Sequence, residues 1–399
     1  MAKGEKLAIY GGKPVRDMYL PYGSQWVDES DMQAVIHVLK GDWLTTGPHI
    51  TAFERKVAGY VGTNYAVAFS NGTAALHAAC FAAGITSGDE VLTTPITFAA
   101  TANCILYCGA KPVFVDIDPE TYLISPEQLT TKINHKTKAI IPVDYTGNPV
   151  DYQEIMRIAK GHGLVVIADA AHALGATYHG DKVGSIADMT MFSFHPVKHI
   201  TTGEGGIITT NDKSYYEKLI LFRSHGITRD KHLLTNHNEP WYYEMHELGY
   251  NYRMTDIQAA LGISQLAKLE DFLLKRKAIA TTYTEAFQTL NPIIVPKVHD
   301  DRESSWHLYV IRLDLSKLRD NRQAIFKALI EENIGVNVHY IPVYFHPYYQ
   351  KLGYQKGLCP HAEAIYKTII TLPLFPKMNP SDVEDVISAV KKVISYYEV

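Results

Sequence analysis

The stretch YAVAFSNGTAALHAACFAAG, Tyr65 to Gly84, decides the fold. YAVAF is a short, almost wholly apolar run, the pattern of a strand covered on both faces. Ser70 and Asn71 are good helix caps, and the small apolar residues after them read as a helix. Working outward, the alternation continues to Thr210. EVLTTP reads as a strand, FAATANCILYCG as a helix, KPVFVDI and KAIIPVDY as strands, DYQEIMRIAKGHG as a helix and LVVIAD as a strand. Short buried strands between helices predict an α/β layered domain with a largely parallel sheet.

The character changes after LGISQLAKLEDFLLKRKAIATTYTEAF, a long helical pattern. SSWHLYVIRLDL reads as a strand, NRQAIFKALIEENI as a helix, GVNVHYIPVY as irregular or strand, and SDVEDVISAVKKVISYY as a closing helix. The expected division is an N-terminal segment 1–25, a large domain 26–272 and a smaller C-terminal α/β domain 273–399. A chain of 399 residues suits about two domains.

Composition excludes several classes. Hydrophobic residues at 46% and charged residues at 20% fit a soluble globular protein. A net charge of −4 provides no basic field for nucleic acid or an anionic membrane. No apolar run approaches a membrane span, and MAKGEKLAIYGGKPVRD lacks the apolar core of a signal peptide, so a cytoplasmic location is expected. Cys104 and Cys108 share a helical run, but no second pair completes a metal set. Free thiols and no metal are expected of the four cysteines.

Four signals fall at strand ends or just beyond, where open α/β sheets gather ligands. In FSNGTAAL a strand ends at Phe69 and a helix opens over Gly72 and Thr73. Its free amides and dipole suit a phosphate, though an ordinary cap reads the same way. In VVIADAAHALGA, Asp169 ends an apolar strand, where a carboxylate is costly unless a cation meets it, and His172 follows within reach. In MFSFHPVKHITTGEGGIITT, Met191 to Thr210, the lone amine of Lys198 stands between two strand-like runs. An amine in a partly apolar cleft loses proton affinity and becomes nucleophilic. Ser193, just before it, offers a hydroxyl to a phosphate. In TTPITFAATA, Phe98 sits past a strand end, placed to stack on a flat ring or to pack in the core. Cradle, stacking aromatic, strand-end Asp and Lys are together the parts that hold pyridoxal 5′-phosphate. Asp169 would keep the pyridine nitrogen protonated, and Lys198 would bond the cofactor covalently.

At this point the chain resembles the DegT/DnrJ/EryC1/StrS sugar aminotransferases, a family of fold-type I pyridoxal-phosphate enzymes. The pieces that carry the likeness are GDWLTTGPHITAFE, SNGTAAL, TTPITFAATAN, ADAAHALGA, FSFHPVKHITTGEGGIITTN, LFRSHGI and GYNYRMTDIQAALGISQL. The resemblance implies that Lys198 is the cofactor lysine and proton carrier, and that Asp169 pairs with the ring nitrogen. His172 would lie near the ring hydroxyl and Phe98 on the ring, with Gly72, Thr73 and Ser193 on the phosphate. Asn251, in GYNYRM, would reach the phosphate of a neighbouring subunit, making the enzyme a homodimer with shared sites.

Within the family, GDWLTTG, TTPITFAATAN, VDYTGNPVD, SFHPVKHITTGEGG and VHYIPVY most resemble the enzymes that aminate C4 of a UDP-linked 4-keto-6-deoxy-N-acetylhexosamine on the pseudaminic acid route. By that likeness Tyr22, Asp42, Trp43, Leu44 and Thr45, and His339, Tyr340, Ile341 and Pro342, would contact the nucleotide sugar. L-Glutamate is the expected amino donor, in a ping-pong exchange. One departure is His199, where proline usually follows the lysine. A sugar 3-dehydratase of the same fold would carry histidine in place of Lys198. A non-catalytic relative would not need Lys198 and Asp169 intact, and a nicotinamide oxidoreductase would need a G-x-G-x-x-G after a strand, which is absent.

Overall fold

The computed structural model describes residues 6–236 and 239–399. Seven strands form its main sheet: β1 (Tyr65–Phe69), β2 (Glu90–Thr93), β3 (Lys111–Phe114), β4 (Thr137–Ile141), β5 (Val165–Asp169), β6 (Met189–Ser193) and β7 (Gly206–Thr210). Their spatial order is β1-β7-β6-β5-β4-β2-β3. The run from β6 to β3 is parallel, while β7 is antiparallel to both β6 and β1. The expected mostly parallel α/β architecture is therefore present.

Strand period explains why these runs are apolar throughout. In β1, Ala66 and Ala68 face one hydrophobic core, and Val67 and Phe69 face another. The first core takes Phe53 and Val57 from α2 (Pro48–Val61) and Ile155 from α6 (Tyr152–His162). The second takes Leu76 from α3 (Gly72–Ala82), Ile105 from α4 (Ala100–Tyr107) and Phe222 from α7 (Lys213–Arg223). Helices thus cover both faces.

The long helical pattern beginning at Leu261 resolves into two helices, α8 (Asp256–Leu266) and α9 (Leu269–Phe287). The break falls at Ala267–Lys268, where the Lys268 ammonium is held by Asp28 and Asp31 at 2.9 and 2.6 Å. The division expected after position 272 lies inside α9. Leu269 packs in the large core, and Ile279, Tyr283 and Phe287 in a further core. That core is built on the antiparallel strands Tyr309–Leu313 and Ile369–Leu372 and on the helices Arg322–Glu331 and Pro380–Tyr397. Leu7 and Leu20, from the N-terminal segment, are buried in it as well.

GVNVHYIPVY is mainly irregular, tied to the sheet by a bridge from Asn337 to Thr371 and ending in a short turn, Val343–Phe345. Among the described residues no helix is long and apolar enough to cross a membrane. The four cysteines are unpaired, with Cys80 Sγ 3.5 Å from Cys104 Sγ.

Candidate active site

The carboxyl ends of β1, β5 and β6 converge with the start of β7, where Gly206 is level with both Phe69 and Ser193. A Cβ on Gly206 would lie 2.7 Å from the Asn71 backbone and the Gly72 Cα, so only glycine admits this approach. Asn71 caps α3 by accepting from the Ala74 amide at 2.8 Å, leaving the Gly72 and Thr73 amides for a ligand. A Cβ on Gly72 would stand 3.4 Å from Ser193 Oγ, filling the space between that hydroxyl and the helix start. The helix dipole there favours negative charge.

Asp169 closes β5 and is buried. Its Oδ2 accepts from the Thr101 hydroxyl at 2.6 Å and its Oδ1 from the Ala171 amide at 3.2 Å. Burial outweighs these bonds and the nearby Lys198 charge, holding the carboxyl above its usual range. A protonated pyridine nitrogen would supply the missing counter-charge, so the residues fit pyridoxal phosphate at both ends.

Lys198 follows β6 in a turn closed by its amide donating to the His195 carbonyl at 2.9 Å. It is partly accessible, yet protein crowds most sides of it. Burial lowers its proton affinity to about 8, with the Arg276 charge assisting and Asp169 opposing. Arg276, on α9, is fully buried. Its Nη1 donates to the carbonyls of Trp306, His307 and Leu374 at 3.3, 3.2 and 3.0 Å. No carboxylate neutralises Arg276 among the described residues, and burial lowers its own proton affinity to about 9. His199, the departure from proline, is buried with Nε2 3.1 Å from the Ser305 carbonyl oxygen.

His172 is buried between Thr146, whose amide donates to Nδ1 at 3.3 Å, and the Tyr340 hydroxyl, 3.0 Å from Nε2. Phe98 is 62% exposed and so is not core packing; its ring centroid lies 6.3 Å from that of Tyr340. Tyr22 faces His339 at 5.2 Å, and His339 Nδ1 pairs with the Thr371 hydroxyl at 2.9 Å. Ile341 is 42% exposed beside Pro342.

The structure thus places Asp169, His172 and His339 within the field of Lys198, with Tyr340 on His172, Phe98 beyond Tyr340 and Tyr22 beyond His339. Asp42, Trp43, Leu44 and Thr45 are exposed, and their contacts lie at the start of α8. The Leu44 carbonyl accepts from the Asp256 amide, and Thr45 bridges Thr255. Asn251 is exposed, on backbone that bridges Ser224, and the next carbonyl, of Tyr252, accepts from the Ser70 amide beside the cradle. Thr101, Thr146, Arg276 and His307 were not foreseen. Thr101 and Thr146 had a signal, the one standing a helical turn beyond Phe98 in the same motif and the other lying within VDYTGNPVD.

The model of the DegT/DnrJ/EryC1/StrS aminotransferase family matches residues 25–391. The spore coat polysaccharide biosynthesis protein SpsC of Bacillus subtilis is 43% identical over 95% of this chain and 98% of its own. The UDP-4-amino-4,6-dideoxy-N-acetyl-β-L-altrosamine transaminase of Campylobacter jejuni is 40% identical over 91% of this chain and 94% of its own. Among solved structures, Helicobacter pylori PseC, an aminotransferase of pseudaminic acid biosynthesis, superposes with a TM-score of 0.88 at 34% identity over 95% of this chain and 100% of that one. A Streptococcus pneumoniae protein assigned as a sugar aminotransferase, solved in its PLP form, gives 0.88 at 32% identity over 95% and 99%.

Proposed function

The chain belongs to the DegT/DnrJ/EryC1/StrS aminotransferase family and depends on pyridoxal phosphate; from that premise we propose that it moves an amino group from L-glutamate to C4 of a UDP-linked 4-keto-6-deoxy-N-acetylhexosamine. The product is UDP-4-amino-4,6-dideoxy-N-acetyl-β-L-altrosamine. The observation that carries an amino-transfer reading is a crowded Lys198 amine within the field of the buried, strand-ending Asp169 carboxylate at the same end of the sheet as the helix-start anion cradle. The choice of sugar is supported by the Campylobacter and Helicobacter relatives.

When bound, pyridoxal phosphate supplies an aldehyde that accepts the amino group and a ring that draws electrons from the reacting carbon. Asp169 would keep the ring nitrogen protonated, and the Gly72 and Thr73 amides with Ser193 Oγ would hold the phosphate. The exposed Phe98 ring would be available to stack on the cofactor ring. Lys198 Nζ takes the proton from the α-carbon of glutamate and later delivers a proton to one face of the sugar C4, which fixes the configuration there. Tyr22 and the segment His339–Pro342 border the sugar, and Asp42–Thr45 receive its nucleotide. Asn251 completes the phosphate site of a second copy of the chain, so the working unit is a homodimer.

A second reading keeps the chemistry and changes the acceptor, because the Bacillus relative at 43% identity carries a spore-coat name rather than a pseudaminic one. Purified enzyme incubated with glutamate and a panel of UDP- and dTDP-4-keto sugars separates the two. The proposal expects 2-oxoglutarate and 4-amino sugar in equal amounts, with the UDP-N-acetyl substrate preferred at least tenfold in kcat/KM. Preference for a dTDP sugar selects the second reading, and no amino sugar from any acceptor overturns both.

A further inference from the structure

His172 and Tyr340 come from separate parts of the fold and meet beside Lys198, and the direction of the hydrogen between them can be worked out. The Thr146 backbone amide donates to His172 Nδ1 at 3.3 Å. An amide can only donate, so Nδ1 accepts and bears no hydrogen. Burial first, then the charge of Lys198 and the neighbouring His339 and His199, keep His172 neutral over the working range. A neutral imidazole has one N–H, which must then be on Nε2. Nε2 therefore donates to the Tyr340 oxygen 3.0 Å away. The hydroxyl's own hydrogen is left over. It cannot point at His172 and is free to turn towards the cleft, where Tyr340 is partly exposed.

The surroundings suit an oxygen acceptor. Phe98 at 6.3 Å and His339 at 4.9 Å flank the Tyr340 ring, Tyr22 lies beyond His339 at 5.2 Å, and none of the three is charged, since burial first and then the Lys198 charge hold the His339 imidazole well below its usual range. The phenol stays protonated, because burial, Asp169 and Tyr22 all raise its proton affinity.

We propose that Tyr340 donates this spare hydrogen to the carbonyl oxygen of the keto sugar, on the carbon that receives the amino group. Tyr340 is then a catalytic residue, and His172 and Thr146 position it. The assignment rests on the reading of the acceptor as a keto sugar. A fixed donor aimed at an oxygen that gains charge contributes most in the transition state, so the effect belongs in kcat more than in KM.

The test is Tyr340→Phe, which keeps the ring and removes the hydroxyl. Five quantities are measured: the thermal midpoint, the pH midpoint of the cofactor's visible absorbance, the rate of the glutamate step alone, and kcat and KM for the sugar. We expect a thermal midpoint lowered by the one hydrogen bond His172 loses, an absorbance midpoint and glutamate step that match the parent, and a sugar kcat that falls on the order of 10²-fold with little change in KM. A sugar kcat within twofold of the parent overturns the proposal. So does a shifted absorbance midpoint with a slowed glutamate step, which would send the hydrogen to the cofactor's ring oxygen. Should the variant unfold, 3-fluorotyrosine at position 340 keeps the shape and acidifies the hydroxyl; it should alter the sugar step alone, and an unaltered sugar step overturns the proposal. A parent enzyme that exchanges with glutamate but aminates no sugar defeats the functional reading and the acceptor with it. A parent active on a sugar beside an equally active Tyr340→Phe defeats only the present inference.

Discussion

Replacing Thr101 with valine removes one hydroxyl from beneath the site and keeps the side chain's shape. That hydroxyl lies 2.6 Å from Asp169 Oδ2 and 2.7 Å from the Thr97 hydroxyl, all in the buried interior. Thr101 has a single hydrogen, and an ionised carboxylate can only accept. The hydrogen therefore goes to Asp169, and Thr97 donates to the Thr101 oxygen, which strengthens the chain. A buried hydrogen bond to an ionised group contributes roughly 1.5–3 kcal/mol. Burial already holds Asp169 above the ordinary carboxyl range, and valine raises it further. Carboxyls with raised folded values favour folding fully below the unfolded value, and lose that contribution as pH rises through the folded one. Valine also deprives the Thr97 hydroxyl of its acceptor at any pH, so the cofactor-free variant should be less stable than the parent throughout, with a deficit roughly 1–2 kcal/mol larger at about pH 8 than at about pH 4. Urea unfolding at the two pH values measures the difference. An equal deficit at both would refute the claim that Thr101 serves the ionised carboxylate.

Asp169→Asn should slow transamination by several powers of ten, since the ring nitrogen loses a counter-charge of the kind that contributes roughly 3–4 kcal/mol; near-parental single-turnover rates would make Asp169 structural. Burial lowers the Lys198 pKa from the ordinary 10.5 to about 8 in the fold, so between these values the unfolded chain binds more protons and stability rises with pH. Lys198→Met should remove that rise, about 3 kcal/mol, from the cofactor-free protein, and persistence of the slope in denaturant titrations would assign it elsewhere. Mixing inactive Lys198→Ala and Asn251→Ala chains should restore about one working site per mixed dimer. No regain after demonstrated subunit exchange would rule out shared sites.

Residues whose role follows from their place along the chain were legible before the fold was known. Asp169 stood out because a carboxylate ending an apolar strand needs a partner, and Lys198 because it sits alone between β6 and β7. The strands were legible for the same reason: burial on both faces removes the polar alternation that one-sided strands show. What stayed hidden depends on tertiary register. Nothing in LLKRKAIATTY marks Arg276 as the one basic residue turned inward on α9, and its acceptors are carbonyls that any sequence carries. The Thr146–His172–Tyr340 chain joins a loop after β4, a loop after β5 and the irregular segment near Asn337, which no local pattern links. Cys104 and Cys108 suggested a shared helix face, but the nearer thiol to Cys104 is Cys80 on α3, set by how two helices cross.

The measurement that bears most directly on the account is borohydride reduction of the purified enzyme followed by peptide mass spectrometry. The account predicts a yellow protein, loss of its visible band on reduction, and one phosphopyridoxyl group on the peptide containing Lys198. A group on any other lysine, or an enzyme that aminates sugars without a reducible cofactor, would contradict it.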